Sequence, residues 1–127
     1  DRKSEEVLEI MGLRDYTEEL AKNLPYGLQR KVEIARALVI RPKLLLLDEP
    51  SAGMNLGEKE ALIGLIRWIR REFNLTIWLI EHEMRVVMNL CEGIQVLDFG
   101  ETIAHGRPEE IQSNPRVVEA YLGKEID

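Results

Sequence analysis

The chain is expected to be an α/β protein in which a parallel sheet is covered by helices. Three observations carry that expectation. Leu44-Leu45-Leu46-Leu47 is an unbroken apolar run, which reads as a strand buried on both faces. Leu75 to Ile80, rich in β-branched and aromatic residues, reads as a second buried strand. Between them, residues 58–72 carry Leu62, Leu65, Ile66 and Ile69 at the helical period. The order strand, helix, strand, helix, strand is what parallel crossover connections need.

The remaining elements follow in chain order. Residues 4–20 read as a helix with Val7, Leu8, Ile10 and Met11 on its apolar stripe and Gly12 as a stop signal. Asn23-Leu24-Pro25-Tyr26-Gly27 reads as a loop, followed by a helix from Leu28 to Ile40 with Val32, Ala35, Leu38 and Val39 facing inward. Pro42 ends it. The first strand covers 43–47, and Ser51 to Gly57 is a loop of turn formers. A helix over 83–90 leads to a strand at 94–97, and Asp98-Phe99-Gly100-Glu101 turns it into a strand at 102–105. Short helices over 108–113 and 115–122 start at Pro108 and Pro115. Trp68 and Trp78 are assigned to the core and His105 to the surface.

With 127 residues, the chain fits one domain large enough to bury a core. Charged residues make up 31% and hydrophobic ones 45%, the balance of a globular protein. The net charge of −6 argues against a broad basic surface for nucleic acid. Residues 24–43 depart from that balance: Arg30, Lys31, Arg36, Arg41 and Lys43 face only Glu33, so an anion-facing surface, or simply a solvated helix face, belongs there. The single cysteine, Cys91, excludes an internal disulfide and fits a reducing compartment. No signal peptide is visible, and the apolar runs are too short to span a bilayer.

The first strand ends in Asp48-Glu49-Pro50. In an α/β protein, strands deliver residues to the ligand crevice at their carboxyl ends. Two adjacent carboxylates there are costly to desolvate unless they hold a metal, activate a water or stay hydrated. This is the Walker B arrangement of nucleotide hydrolases, with one carboxylate for magnesium and one for the attacking water. A core strand followed by a solvated acidic turn would read the same over these seven residues.

Three further stretches bear on that choice. Leu24-Pro25-Tyr26-Gly27-Leu28-Gln29-Arg30 is a loop opening a helix, and free amides at a helix start suit phosphate. His82 directly follows the second strand, where an imidazole could bridge a phosphate oxygen and a water. Ser51-Ala52-Gly53-Met54-Asn55-Leu56 joins the carboxylates to the next helix. Each alone also fits an ordinary helix entry, a polar strand terminus or a plain loop.

Taken in this order, the residues resemble the C-terminal half of an ABC-transporter ATP-binding subunit. Leu24–Leu28 matches its signature loop, Leu44–Glu49 its Walker B, Ser51–Asn55 its D-loop and His82 its switch histidine. Ile34-Ala35-Arg36-Ala37-Leu38 with Pro42 matches the link between signature and Walker B. Val96-Leu97-Asp98-Phe99-Gly100 and Gly106-Arg107-Pro108-Glu109-Glu110-Ile111 look like the family's hairpin and final helix. Within the family the chain is most similar to the subunits of branched-chain amino acid importers. Tyr26, Ala52-Gly53-Met54-Asn55, Asn114-Pro115 and Ala120-Tyr121-Leu122-Gly123 carry that similarity.

The resemblance implies a partial P-loop NTPase (RecA-like) fold with a C-terminal β-hairpin. Residues 1–23 would end the helical subdomain, and 24–127 would be the signature helix and the C-terminal half of the ATPase core. It implies ATP and Mg2+ as ligands, with Asp48 on the metal, Glu49 and His82 catalytic, and Leu24, Pro25, Tyr26, Gly27, Leu28, Gln29 and Asn55 along the nucleotide. It implies a second ATPase subunit and transmembrane permease subunits as partners, no nucleic acid and no direct membrane insertion. The location would be cytoplasmic, peripheral on the inner face of the cell membrane.

Two departures stand out in the signature loop. Pro25 stands where the family has a small hydroxyl or alanine, and Leu28 stands where glutamine is usual, with Gln29 following. No G-x-x-x-x-G-K-[S/T] occurs, so the Walker A part and its amide cradle are absent from these residues. The expectation is therefore a fragment of a longer ATPase, inactive by itself. An ABC-type ATPase of DNA repair or chromosome organisation, and a non-enzymatic interaction module lacking the P-loop, are the alternatives. A kinase reading of Asp98-Phe99-Gly100 fails because the catalytic-loop and strand-lysine motifs are missing.

Overall fold

A computed structural model describes residues 26–122 of the chain. The helix expected over 4–20 and the loop residues Asn23, Leu24 and Pro25 lie outside them. The described elements are α1 (Tyr26–Leu38), β1 (Leu44–Asp48), α2 (Leu56–Phe73), β2 (Thr76–Ile80), α3 (Met84–Leu90), β3 (Ile94–Asp98), β4 (Glu101–Gly106), α4 (Pro108–Gln112) and α5 (Pro115–Val117). A single π-helical turn over Val118–Leu122 follows. The chain divides into two units, Asp1–Trp78 and Leu79–Asp127, with the division inside β2.

In the first unit, α1 begins at Tyr26, two residues before the expected start. Tyr26 and Gly27 are therefore helical rather than loop. The first-turn N–H groups of any helix lack intrahelical partners, so glycine costs less there than in a helix interior. The helix ends at Leu38 rather than Ile40. Arg41 precedes Pro42, which disfavours the α region for its neighbour, and Arg41 takes φ 54°. Its N–H donates to the Leu38 carbonyl at 3.0 Å, closing the helix. The Arg41 guanidinium lies 5.3 Å from the Phe73 ring centroid, a cation–π contact.

Ile34, Ala35 and Leu38 of α1, Leu45 and Leu47 of β1, and Leu62, Ile63, Ile66 and Ile69 of α2 are buried. Ile34 and Ile63 were not among the expected core positions, and Leu65 is only half-buried. The helix α2 is bounded by strong stop signals. Asn55 caps its start, and Asn74 ends it in the left-handed region at φ 52°, donating to the Arg70 carbonyl. Trp68 is half-buried and meets Phe73 edge-on, with ring centroids 6.2 Å apart.

Strands β1 and β2 form a two-stranded parallel sheet, entered by a 3.0 Å bond from the Thr76 N–H to the Lys43 carbonyl. Expected burial on both faces is corrected here. Along β1, Leu45 and Leu47 are buried, while Leu44 is 48% and Leu46 66% exposed. Trp78, assigned to the core from sequence, is 63% exposed, as is Ile80 at 55%. A pleated strand sends alternate side chains to opposite faces. In the first unit Ile34 and Ala37 of α1 line a shared hollow with β1. The alternate residues remain open to solvent.

In the second unit the expected third parallel strand takes another course. β3 pairs antiparallel with β4 in a separate two-stranded sheet. Strands joined by a two-residue turn close at small entropic cost, and the turn suits this pairing: Phe99 and Gly100 have φ 50° and 80°, both positive as a type I′ hairpin demands. A bulge between Val96 and Leu97 shifts the register from Val96↔Ala104 to Leu97↔Thr102. Met84, Val87, Ile94, Val96, Ala104, Ile111 and Val117 form this unit's core. The Tyr121 hydroxyl donates to the Leu97 carbonyl, tying the π-helical turn to β3. His105 is exposed, as expected. Among the described residues, no helix is long and apolar enough to cross a membrane.

Candidate functional site

Asp48 is the last residue of β1, and both it and Glu49 are exposed. The buried Leu45 and Leu47 thus anchor a strand whose carboxyl end carries two exposed carboxylates. Glu49 has φ 45°. A non-glycine residue in the left-handed region stores on the order of 1–3 kcal/mol, and such strain gathers at functional sites. The chain then turns tightly: the Ala52 N–H donates to the Glu49 carbonyl and the Met54 N–H to the Ser51 carbonyl, each at 3.1 Å. Gly53 takes φ 78° between them. Pro50, Ser51 and Met54 are buried, so this turn is held from within while the carboxylates face out.

The loop ends in a capping box. The Asn55 side chain accepts from the Glu58 N–H at 2.8 Å, and the Asn55 N–H donates to Glu58 Oε1 at 3.1 Å. Asn55, expected along the nucleotide, thus also starts α2. The other carboxylate oxygen of Glu58 reaches across to α1: a Cβ built on Gly27 would lie 3.3 Å from Glu58 Oε2. Gly27, Leu28, Met54, Glu58, Leu62 and Leu65 line a common groove of about 250 Å³. The structure therefore brings the start of α1 and the turn after the carboxylates together. Gln29 follows in α1, half-buried. A second hollow, about 180 Å³, places Asp48 with Arg30 and Glu33. Leu24 and Pro25 lie outside the described residues, and Tyr26 opens α1.

His82 stands two residues beyond β2, exposed, in the second unit. Its N–H donates to Glu81 Oε1 at 3.3 Å, and the Glu83 N–H approaches the same oxygen at 3.5 Å. The Glu81 carboxylate thus organises the turn that carries the imidazole. Sequence reasoning missed both Glu58 and Glu81. Glu58 was findable, because Asn followed three residues later by Glu is the capping-box pattern. Nothing in the sequence singles out Glu81.

The donor set suits one kind of cation. Among the described residues, no three His, Cys, Asp or Glu side chains gather as a cage. A lone strand-end aspartate with a neighbouring glutamate fits magnesium, which keeps waters and takes phosphate oxygens as further ligands. It does not fit a metal that needs three or four protein ligands.

Comparison with known proteins finds similar sequences and folds. Residues 1–52 match the family described as ABC transporter, and residues 101–127 match the family described as branched-chain amino acid ATP-binding cassette transporter. The chain is 48% identical over 117 residues to the high-affinity branched-chain amino acid transport ATP-binding protein LivG of Salmonella typhimurium. It is 45% identical over 117 residues to BraF of Pseudomonas aeruginosa, which bears the same description. Each alignment covers 92% of this chain and 46% of the relative, so the chain spans about half the length of the curated relatives it matches. Among solved structures, the ADP conformation of MJ1267, an ATP-binding cassette of an ABC transporter, matches with a TM-score of 0.85 and 32% identity. That match covers 96% of this chain and 49% of MJ1267. The α/β architecture is thus part of the P-loop NTPase fold, and the chain is similar over most of its length to ATP-binding proteins of ABC transporters, those described for branched-chain amino acid transport among them.

Proposed function

We propose that this chain is the C-terminal half of an ATPase that drives import of branched-chain amino acids, carrying the groups that hydrolyse ATP. The observation that carries the reading is the exposed Asp48–Glu49 pair at the end of β1, with Glu49 held at φ 45° by a hydrogen-bonded turn. In the complete protein Asp48 would hold magnesium, which when bound would neutralise charge on the phosphates. Glu49 orients the attacking water and accepts its proton. His82 contacts the outermost phosphate, its backbone fixed by Glu81. The amides around Gly27, at the positive end of α1, face the outermost phosphate of the nucleotide held by a second ATPase subunit. Most of the rate comes from positioning and electrostatics.

Its partners are that second subunit and transmembrane permease subunits, which keep it at the inner face of the cell membrane. The amino acid itself never touches this subunit. In the complete ATPase, Glu49→Gln lowers steady-state hydrolysis by at least about 100-fold, the contribution of a positioned general base, while ATP binding persists. Phosphate release and nucleotide binding measured on the same preparation test this. Retained turnover removes Glu49 from its role and the reading with it.

A further inference from the structure

The groove between α1 and α2 holds one acidic side chain, and it occupies an unusual place. Glu58 spends one carboxylate oxygen on the Asn55 N–H, 3.1 Å away. The other oxygen lies beside Gly27 in the first turn of α1, close enough that a Cβ there would sit 3.3 Å from it. Arg30 and Lys31 of α1 line the same groove. One carboxylate therefore bonds the loop that leaves Asp48–Glu49 and lies beside the amino end of α1. A negative charge at that end of a helix interacts favourably with the exposed N–H groups and the dipole. An incoming anion must compete with it.

Resting on the reading above, we propose that Glu58 is a positioning residue for the outermost phosphate. Its charge partly satisfies the start of α1 when no nucleotide is present, and its bond to Asn55 makes the position of that charge depend on the loop following the carboxylates. Phosphate affinity at α1 and the state of that loop are then linked through one side chain. Gly27 leaves the space in which this carboxylate rests.

The capping box supplies a clean test, because glutamine serves at its third helical position as well as glutamate. Glu58→Gln keeps the cap and removes the charge. In the complete ATPase at low ionic strength, E58Q lowers the KM for Mg-ATP by about two- to fivefold, the range expected for one charge near a helix terminus. Its kcat changes by less than the KM, and the KM difference shrinks as salt screens the interaction. A KM equal to the unsubstituted enzyme's at low salt overturns the proposal and leaves Glu58 as a cap only. Glu49→Gln in the same protein separates the two failures. If E49Q abolishes turnover while E58Q leaves KM unmoved, only the role of Glu58 falls. If E49Q hydrolyses ATP normally, the underlying reading falls first.

Discussion

Asn55 shows how one residue can serve both a helix and the turn before it. Its side chain accepts from the Glu58 N–H and starts α2, while its backbone ends the turn that begins at Glu49. Removing the side chain leaves a first-turn N–H without its partner, which costs about 1 kcal/mol at an N-cap. Asn55→Ala is therefore expected to lower stability in urea denaturation by about 1 kcal/mol, whereas Asn55→Asp, another good cap, changes it by a few tenths. An alanine variant as stable as the unsubstituted chain would mean that the cap is not formed in solution. At this scale much was legible. Asp48 and Glu49 stand where the leucine run said they would, because a strand's carboxyl end is fixed by its own hydrophobic pattern. The left-handed turn of Glu49 was not legible, since the conformation of a non-glycine residue there is imposed by its buried neighbours Pro50 and Ser51.

At the scale of elements, the sequence reported burial that the described residues provide only in part. Leu44 to Leu47 are all apolar, yet the strand alternates between buried and open positions. A side chain's chemistry records what the strand needs, and whether the need is met depends on the layers around it. The open positions make a consequence testable. Leu44, Leu46 and Trp78 are 48%, 66% and 63% exposed, and covering a Leu side chain is worth roughly 1.5–3 kcal/mol. Exposed contiguous apolar surface favours association. The isolated chain is expected to self-associate, its sedimentation coefficient rising with concentration, and Leu46→Lys to shift it toward monomer. A concentration-independent monomer would remove this expectation. The hairpin shows the reverse case. Its two strands and Gly100 turn are legible in the sequence, because their pairing is local, while the bulge at Val96/Leu97 left no sequence signal.

For the whole molecule, the decisive quantity is how many phosphate contacts one chain can supply. Its relatives are about twice its length, and it covers 46% of them. The sequence holds no G-x-x-x-x-G-K-[S/T], so neither the amide cradle nor the lysine that grips the β- and γ-phosphates is present in these residues. Asp48 is proposed to act on nucleotide only through a hydrated cation, and the amides near Gly27 are proposed to serve a nucleotide held elsewhere. A micromolar complex needs about −8 kcal/mol. Charge at one helix start contributes at most about 1–2 kcal/mol of that, and water-mediated contacts to a single carboxylate leave most of the remainder unmet. Calorimetric titration of the isolated chain with Mg-ATP is therefore expected to show no saturable heat up to high micromolar nucleotide. A dissociation constant in the low micromolar range would mean that phosphate is gripped by groups within these 127 residues, and the division of labour between the two halves of the ATPase would have to be redrawn.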